Sequence, residues 1–183
     1  MAEKTPRWIV LIVAVILLLG AFWGTDFYTY RMAIHDLSLT PDVINSDGVI
    51  MQTTDYACAP ASLAMLMRDK GFNVTTLDMA KAAYTGIFGT WARGIPVVGR
   101  KYGFKVTEKM MDFNEIIDMN LPMIIWEREK GTVHAVYAVP NLSLRVLNVK
   151  DPSVGFSILD ETAFYQYFNR DRKKRCFIFE KKE

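Results

Sequence analysis

The chain has little of what most reactive sites are built from. It holds only two histidines and two cysteines in 183 residues, and neither sign of charge dominates: 22 Lys and Arg face 20 Asp and Glu. With a net charge of +2 and no recurring aromatic-basic stripe, nothing marks a nucleic-acid footprint, so no nucleic-acid partner is expected. Cys58 and Cys176 are too few and too unlike in setting to form a disulfide framework. Cys-His spacing of the zinc type is missing as well, so we expect no metal and no cofactor. Internal repeats and low-complexity tracts are also missing.

One long apolar run is present. Residues 8 to 23 carry no charged or polar side chain, and at about 1.5 Å per residue they make about 24 Å of helix, close to a bilayer core. Trp8, Trp23, Phe27, Tyr28 and Tyr30 bracket the run as interfacial aromatics do. Lys4 and Arg7 precede it, which puts the N-terminus in the cytoplasm and the remainder outside. A cleaved signal peptide fits less well, because the run is long and no small-x-small cleavage site stands near Gly24. An all-round apolar surface at a terminus also argues against a buried core helix. The expected organisation is a cytoplasmic N-terminus (1–7), a transmembrane signal-anchor helix (8–27), a polar linker (28–47) and one globular domain (48–183).

Within that domain the most informative stretch is QTTDYACAPASLAMLM, residues 52–67. From Pro60 the apolar residues recur at helical spacing, so Cys58 falls at the start of a helix with proline in its first turn. Unpaired N–H groups and the positive end of a helix dipole favour a thiolate there. Gln52, six residues upstream, offers an amide N–H that can meet an oxyanion. Of the two histidines, His35 follows the apolar run, whereas His134 sits in TVHAVYAV, a β-branched and aromatic run typical of a core strand. Asp151 comes at the end of the next expected strand, where it can lie beside His134 as a base and its orienting group do.

The order Gln52, Cys58, His134, Asp151 resembles the papain-like cysteine peptidases and, in detail, the bacteriocin-processing (double-glycine leader) peptidases of family C39. That family has a glutamine six residues before a Cys-Gly-Pro-Ala-like helix start, a His-led strand, and then Asp-Pro. Here Cys58-Ala59-Pro60-Ala61, the strand from His134, and Asp151-Pro152 match it, over roughly residues 49–179. Two positions depart: Ala59 stands where glycine is usual, and Ala135 where a bulkier residue is common. The resemblance implies an α+β papain-like fold, helical part first and antiparallel sheet second. It also implies thiol proteolysis by Cys58, His134 and Asp151, with Gln52 in the oxyanion hole. The family's Gly-rich loop before its third helix borders the substrate groove, which makes Trp91 and Arg93 candidates for substrate contact. A core-packed tryptophan and a solvated arginine are the plainer account of those two.

No transporter or ATP-binding segment follows the peptidase-like stretch, so we expect a stand-alone, membrane-tethered peptidase acting on an exported or surface protein, with secretion-system components as further partners. The competing expectation is a weak or inactive peptidase-like module that only holds a leader peptide or a partner protein, since Ala59 could misalign the turn after Cys58. A third keeps the acyl-enzyme but exchanges water for an amine.

The remaining elements follow from periodicity and turn residues. Helices are expected over 76–83, 95–102, 113–119 and 161–169, and strands over 105–107, 121–127, 132–139, 144–150, 156–159 and 176–180, with a hairpin through Lys130-Gly131. The basic run 172–175 is expected as a solvated turn, or as a contact for anionic headgroups.

Overall fold

Near-continuous apolar runs in the second half of the chain, such as 123–126, 135–138 and 176–179, build a sheet with two buried faces, and helices cover both. A computed structural model describes residues 7–129, 132–168 and 173–182. In chain order the elements are α1 (Arg7–Leu39), β1 (Val43–Ile44), β2 (Ile50–Met51), α2 (Cys58–Asp69), α3 (Thr76–Ala83), α4 (Gly94–Lys101) and β3 (Phe104–Met111). They continue as α5 (Phe113–Met119), β4 (Met123–Glu129), β5 (Thr132–Asn141), β6 (Val146–Asp151), β7 (Gly155–Leu159), α6 (Glu161–Tyr167) and β8 (Lys174–Lys181).

Six strands form one antiparallel sheet in the order β3-β8-β4-β5-β6-β7, and β1 pairs with β2 separately. Ile124, Trp126, Ala135, Tyr137, Phe177 and Phe179 point to one face, where the buried side chains of α2, α3 and α4 meet them. Their sequence neighbours Met123, Ile125, Val136, Ala138, Cys176 and Ile178 point to the other, against Phe113, Ile116 and Ile117 of α5 and Phe164 of α6. The two-residue side-chain period of a strand produces this division directly. At Gly99 of α4 an added Cβ would stand 2.1 Å from a Val106 methyl of β3, so only glycine allows that helix to lie so close.

Local chemistry fixes the starts of three helices. Thr75 with Asp78, and Asp112 with Glu115, form capping boxes at α3 and α5, while the Asp160 carboxylate accepts the Ala163 N–H at α6. The expected helix over 113–119 forms between those bounds.

Two expectations need correction. The polar linker over 28–47 is helix as far as Leu39, because nothing before Pro41 breaks the helix and Ala33 and Leu37, one turn apart, bury a stripe against the domain. Leu37 packs with Ala57 and Ala80, and the Tyr56 hydroxyl donates to Asp36 at 2.9 Å. The basic run is not a solvated turn throughout: Lys174 lies in β8 at 3% exposure, bonded to Glu127 at 3.0 Å and to the Phe168 carbonyl. Lys173 and Arg175 pair with Glu115 and Glu108, while residue 172 and the hairpin tip at 130–131 lie outside the described residues.

Candidate active site

Helix α2 carries its nucleophile candidate at its first residue. Ala57, the cap position, supplies no side-chain oxygen, so unlike α3, α5 and α6 this helix leaves its first-turn N–H groups without a side-chain cap. Ala59 sits in the first helical turn and is not among the positive-φ residues, so the missing glycine costs the backbone nothing there.

A row of contacts seats α2 on β5. The Cys58 sulfur lies 4.0 Å from the Val133 carbonyl oxygen. One turn on, the buried Ser62 hydroxyl donates to the Ala135 carbonyl at 2.9 Å, and near the helix end Asp69 accepts from the Tyr137 hydroxyl at 2.9 Å. Helical spacing on one element thus meets alternate residues on the other, and His134 is bracketed by two of those contacts. Ala135, fully buried, keeps the approach close where a larger side chain would hold the helix away.

Sheet register brings in the carboxylate. Tyr137 pairs with Lys150, so Asp151 comes level with Val136, one same-face step from His134. The His134 Nε2 and Asp151 Oδ1 are 2.9 Å apart. Ser153 donates to the same Oδ1 through its N–H and its hydroxyl, each at 2.7 Å, and the Tyr167 hydroxyl of α6 donates to Oδ2. With 3% of its surface exposed, Asp151 is a buried carboxylate with each oxygen occupied.

The charges support one another. Burial pushes the His134 imidazole down, but the charged ring's hydrogen bonding to the Asp151 carboxylate and the Cys58 sulfur nearby more than reverse this and raise it to about 10. Burial pushes the Asp151 carboxyl up, yet His134, Tyr167 and Ser153 hold it down at about 2. Tyr167 is pushed upward by burial and by Asp151, so it stays a neutral donor. At neutral pH the ring is charged between a carboxylate on one side and a sulfur on the other.

Gln52 joins this group through its backbone, which donates to the Pro152 carbonyl at 2.8 Å and so fixes it beside the turn after Asp151. Its side-chain Oε1 is buried and has no hydrogen-bond partner among the described residues. Trp91 and Arg93 are not drawn into the group. They lie exposed in the loop between α3 and α4, the guanidinium 5.7 Å from the indole centre, in a loop whose Tyr84 and Gly86 meet Tyr30 and Thr29 of α1. The sequence reading missed Ser62, Ser153 and Tyr167. Ser62 could have been found as the α2 residue one turn beyond Cys58, and Ser153 as the hydroxyl of an Asp-Pro-Ser turn. Tyr167, from a separate helix, left no such signal.

Residues 46–171 match the Peptidase C39 family. The chain belongs to that family. Gln52, Cys58, His134 and Asp151 all fall inside the matched span. An uncharacterised protein of Methanothermobacter thermautotrophicus is 26% identical over 125 residues, covering 68% of this chain and 85% of its own. A second, from Methanothermobacter marburgensis, is 26% identical over 112 residues, 61% of this chain and 76% of its own. Among solved structures, the chain resembles a double glycine motif protease from an AMS/PCAT transporter, in complex with the leader peptide. The TM-score is 0.61 at 21% identity, covering 78% of this chain and 94% of that one. The peptidase domain of Streptococcus ComA, a bi-functional ABC transporter of a quorum-sensing pathway, gives 0.61 at 19%, covering 78% and 100%. At these identities the likeness speaks for the fold: the α+β arrangement expected of a C39 member.

Proposed function

We propose that this C39 member is a membrane-tethered cysteine peptidase that cuts an exported peptide or protein through a thiol acyl-enzyme. The observation that carries the reading is the His134–Asp151 pair at 2.9 Å, seated beside the helix start where the Cys58 sulfur lies 4.0 Å from the Val133 carbonyl. The Cys58 sulfur attacks a peptide carbonyl, and the oxyanion that forms is met by the N–H of Cys58 and the amide of Gln52, a donor of this kind contributing about 2.7–4 kcal/mol. His134, positively charged at rest, gives its proton to the departing amine; the neutral ring then takes a proton from water as the water attacks the thioester. Asp151 keeps the ring oriented with its other nitrogen toward the sulfur.

For substrate we propose a precursor with a leader, the class named for the similar double glycine motif protease, here met on the outer side of a membrane. The anchor is α1, whose stretch from Trp8 is long and apolar enough to cross a bilayer and exposes its side chains on every side. Secretion components that deliver such precursors are the partners this reading implies.

The test uses the full chain in nanodiscs with a glycine-glycine leader precursor. Cys58→Ala should lower cleavage roughly 10⁴-fold or more, to background. Cleavage unchanged in that variant would overturn the reading and leave a binding module.

A further inference from the structure

The loop between α3 and α4 is a built projection. Gly86 and Gly89 exchange backbone hydrogen bonds at 3.1 and 2.9 Å, and beneath them the buried hydroxyls of Thr85 and Thr90 bond at 2.7 Å. Gly89 has φ +98°, the left-handed backbone that closes so tight a turn. What this turn holds up is aromatic: Phe88 is 90% exposed at its tip, with Tyr84 at 68% and Trp91 at 64% on its flanks. Three exposed aromatic rings on a rigid turn form the kind of surface that a protein does not leave in water without a partner.

Its position says which partner. Gly86 lies against Thr29 of α1, where an added Cβ would meet the threonine hydroxyl at 3.1 Å, and the rings of Tyr84 and Tyr30 are 6.0 Å apart. Thr29 is three residues beyond Asp26, the first acidic side chain after the apolar run, hence only about 4.5 Å further along the helix. Trp23, Phe27 and Tyr28 ring α1 at that height, all exposed. The loop therefore continues an aromatic belt that α1 already begins. Charge agrees: residues 79–107 contain five Lys or Arg and no Asp or Glu. Arg93, stacked over Trp91, places one of those charges beside the ring.

We infer that the Tyr84–Trp91 loop inserts its aromatic side chains into the outer headgroup layer of an anionic bilayer, giving the domain a second membrane contact next to its anchor. This rests on α1 crossing that bilayer. Two contacts fix the orientation that one helix leaves free. Leu37, which packs beside Ala57 next to the nucleophile, lies eight residues past Thr29, so the cleft opens about 12 Å above the loop, within reach of a chain leaving the membrane.

The test places a benzoylphenylalanine photocrosslinker at single positions of the full chain, in nanodiscs of phosphatidylcholine and phosphatidylglycerol with the precursor present. Phe88→benzoylphenylalanine should give lipid adducts about tenfold above those of the same change at Ile158, an exposed residue of β7 remote in sequence from this loop and from α1. Position 17, inside the apolar run, reports the anchor. Lipid adducts at 17 but not at 88 overturn the inference and leave the tether standing. None at 17 removes the premise and the inference with it. Precursor adducts at 88 in place of lipid overturn it in favour of a substrate-groove loop.

Discussion

The chain's two thiols lie in regions that treat sulfur in opposite ways. Cys58 starts a helix with no side-chain cap, 6% exposed, and its sulfur lies against the strand residue next to an imidazole that a buried carboxylate holds. Cys176 lies mid-strand in β8, wholly covered by the α5 and α6 side of the sheet, its thiol raised to about 12 by burial and by the nearby Glu115. Both are buried by area. What separates them is whether a charge is waiting: reactivity follows the electrostatic surroundings of the sulfur more than its accessible area.

The hardest way to break this comparison is to alkylate the protein. At pH 7 a thiol titrating near 12 holds about one part in 10⁵ as thiolate, so Cys58 should react with iodoacetamide at least about 10²-fold faster than Cys176. Peptide mapping after partial labelling reads the ratio. Equal rates, or faster labelling at 176, would mean that the setting of Cys58 does not activate it.

A sharper version leaves both sulfurs alone and removes the charge behind one of them. Asp151→Asn keeps the shape but cannot hold an imidazolium, so cleavage should fall by up to about 10⁴. The alkaline limit of kcat/KM should then move down from about 10 toward the ordinary 6.5 of a histidine. Stability follows by linkage. A histidine raised to about 10 contributes fully below 6.5 and loses its contribution as pH rises through 10, while a carboxyl lowered to about 2 contributes fully above 3.8 and loses it as pH falls through 2. The gap in melting temperature between the parent and Asp151→Asn should therefore be widest from pH 3.8 to 6.5 and narrow toward pH 10. A gap independent of pH would mean that the pair is not ionised as its geometry requires.

The same contrast governs what could be read before folding. Cys58 and α5 were legible because their determinants are local: a proline-led apolar period after the cysteine, and Asp112 three residues before Glu115. The core strands were legible through their β-branched and aromatic runs, although β3 extends to Met111, well past the expected 105–107, because β8 offers it a full-length partner. Lys174 was not legible. Four basic letters in a row read as a solvated run, and nothing nearby tells that Glu127, 47 residues earlier, will meet one of them inside the protein. The end of α1 failed the same way, because Leu37 finds Ala57 and Ala80 only after the domain has formed. Tyr167 belongs with these, reaching Asp151 from the last helix in chain order.

The smallest effect separates the two cysteines by stability instead of chemistry. Cys176→Ala removes a sulfur from a closed layer of Met123, Ile125, Ile178 and their neighbours, and the cavity should cost about 1 kcal/mol. For a domain of this size that is a drop of about 2–4 °C in melting temperature. Turnover should stay near the parent's, since nothing in the Cys58, His134 and Asp151 group touches this sulfur, whose hydrogen bond goes to the Lys174 carbonyl at 3.5 Å. Cys58→Ala should do the reverse, erasing turnover while the melting temperature holds or rises, because a thiol set against a charged ring serves chemistry more than packing. If the alanine at 58 melted the domain and the one at 176 did not, the sulfur at the helix start would be a packing element, and the assignment of roles between the two would have to be exchanged.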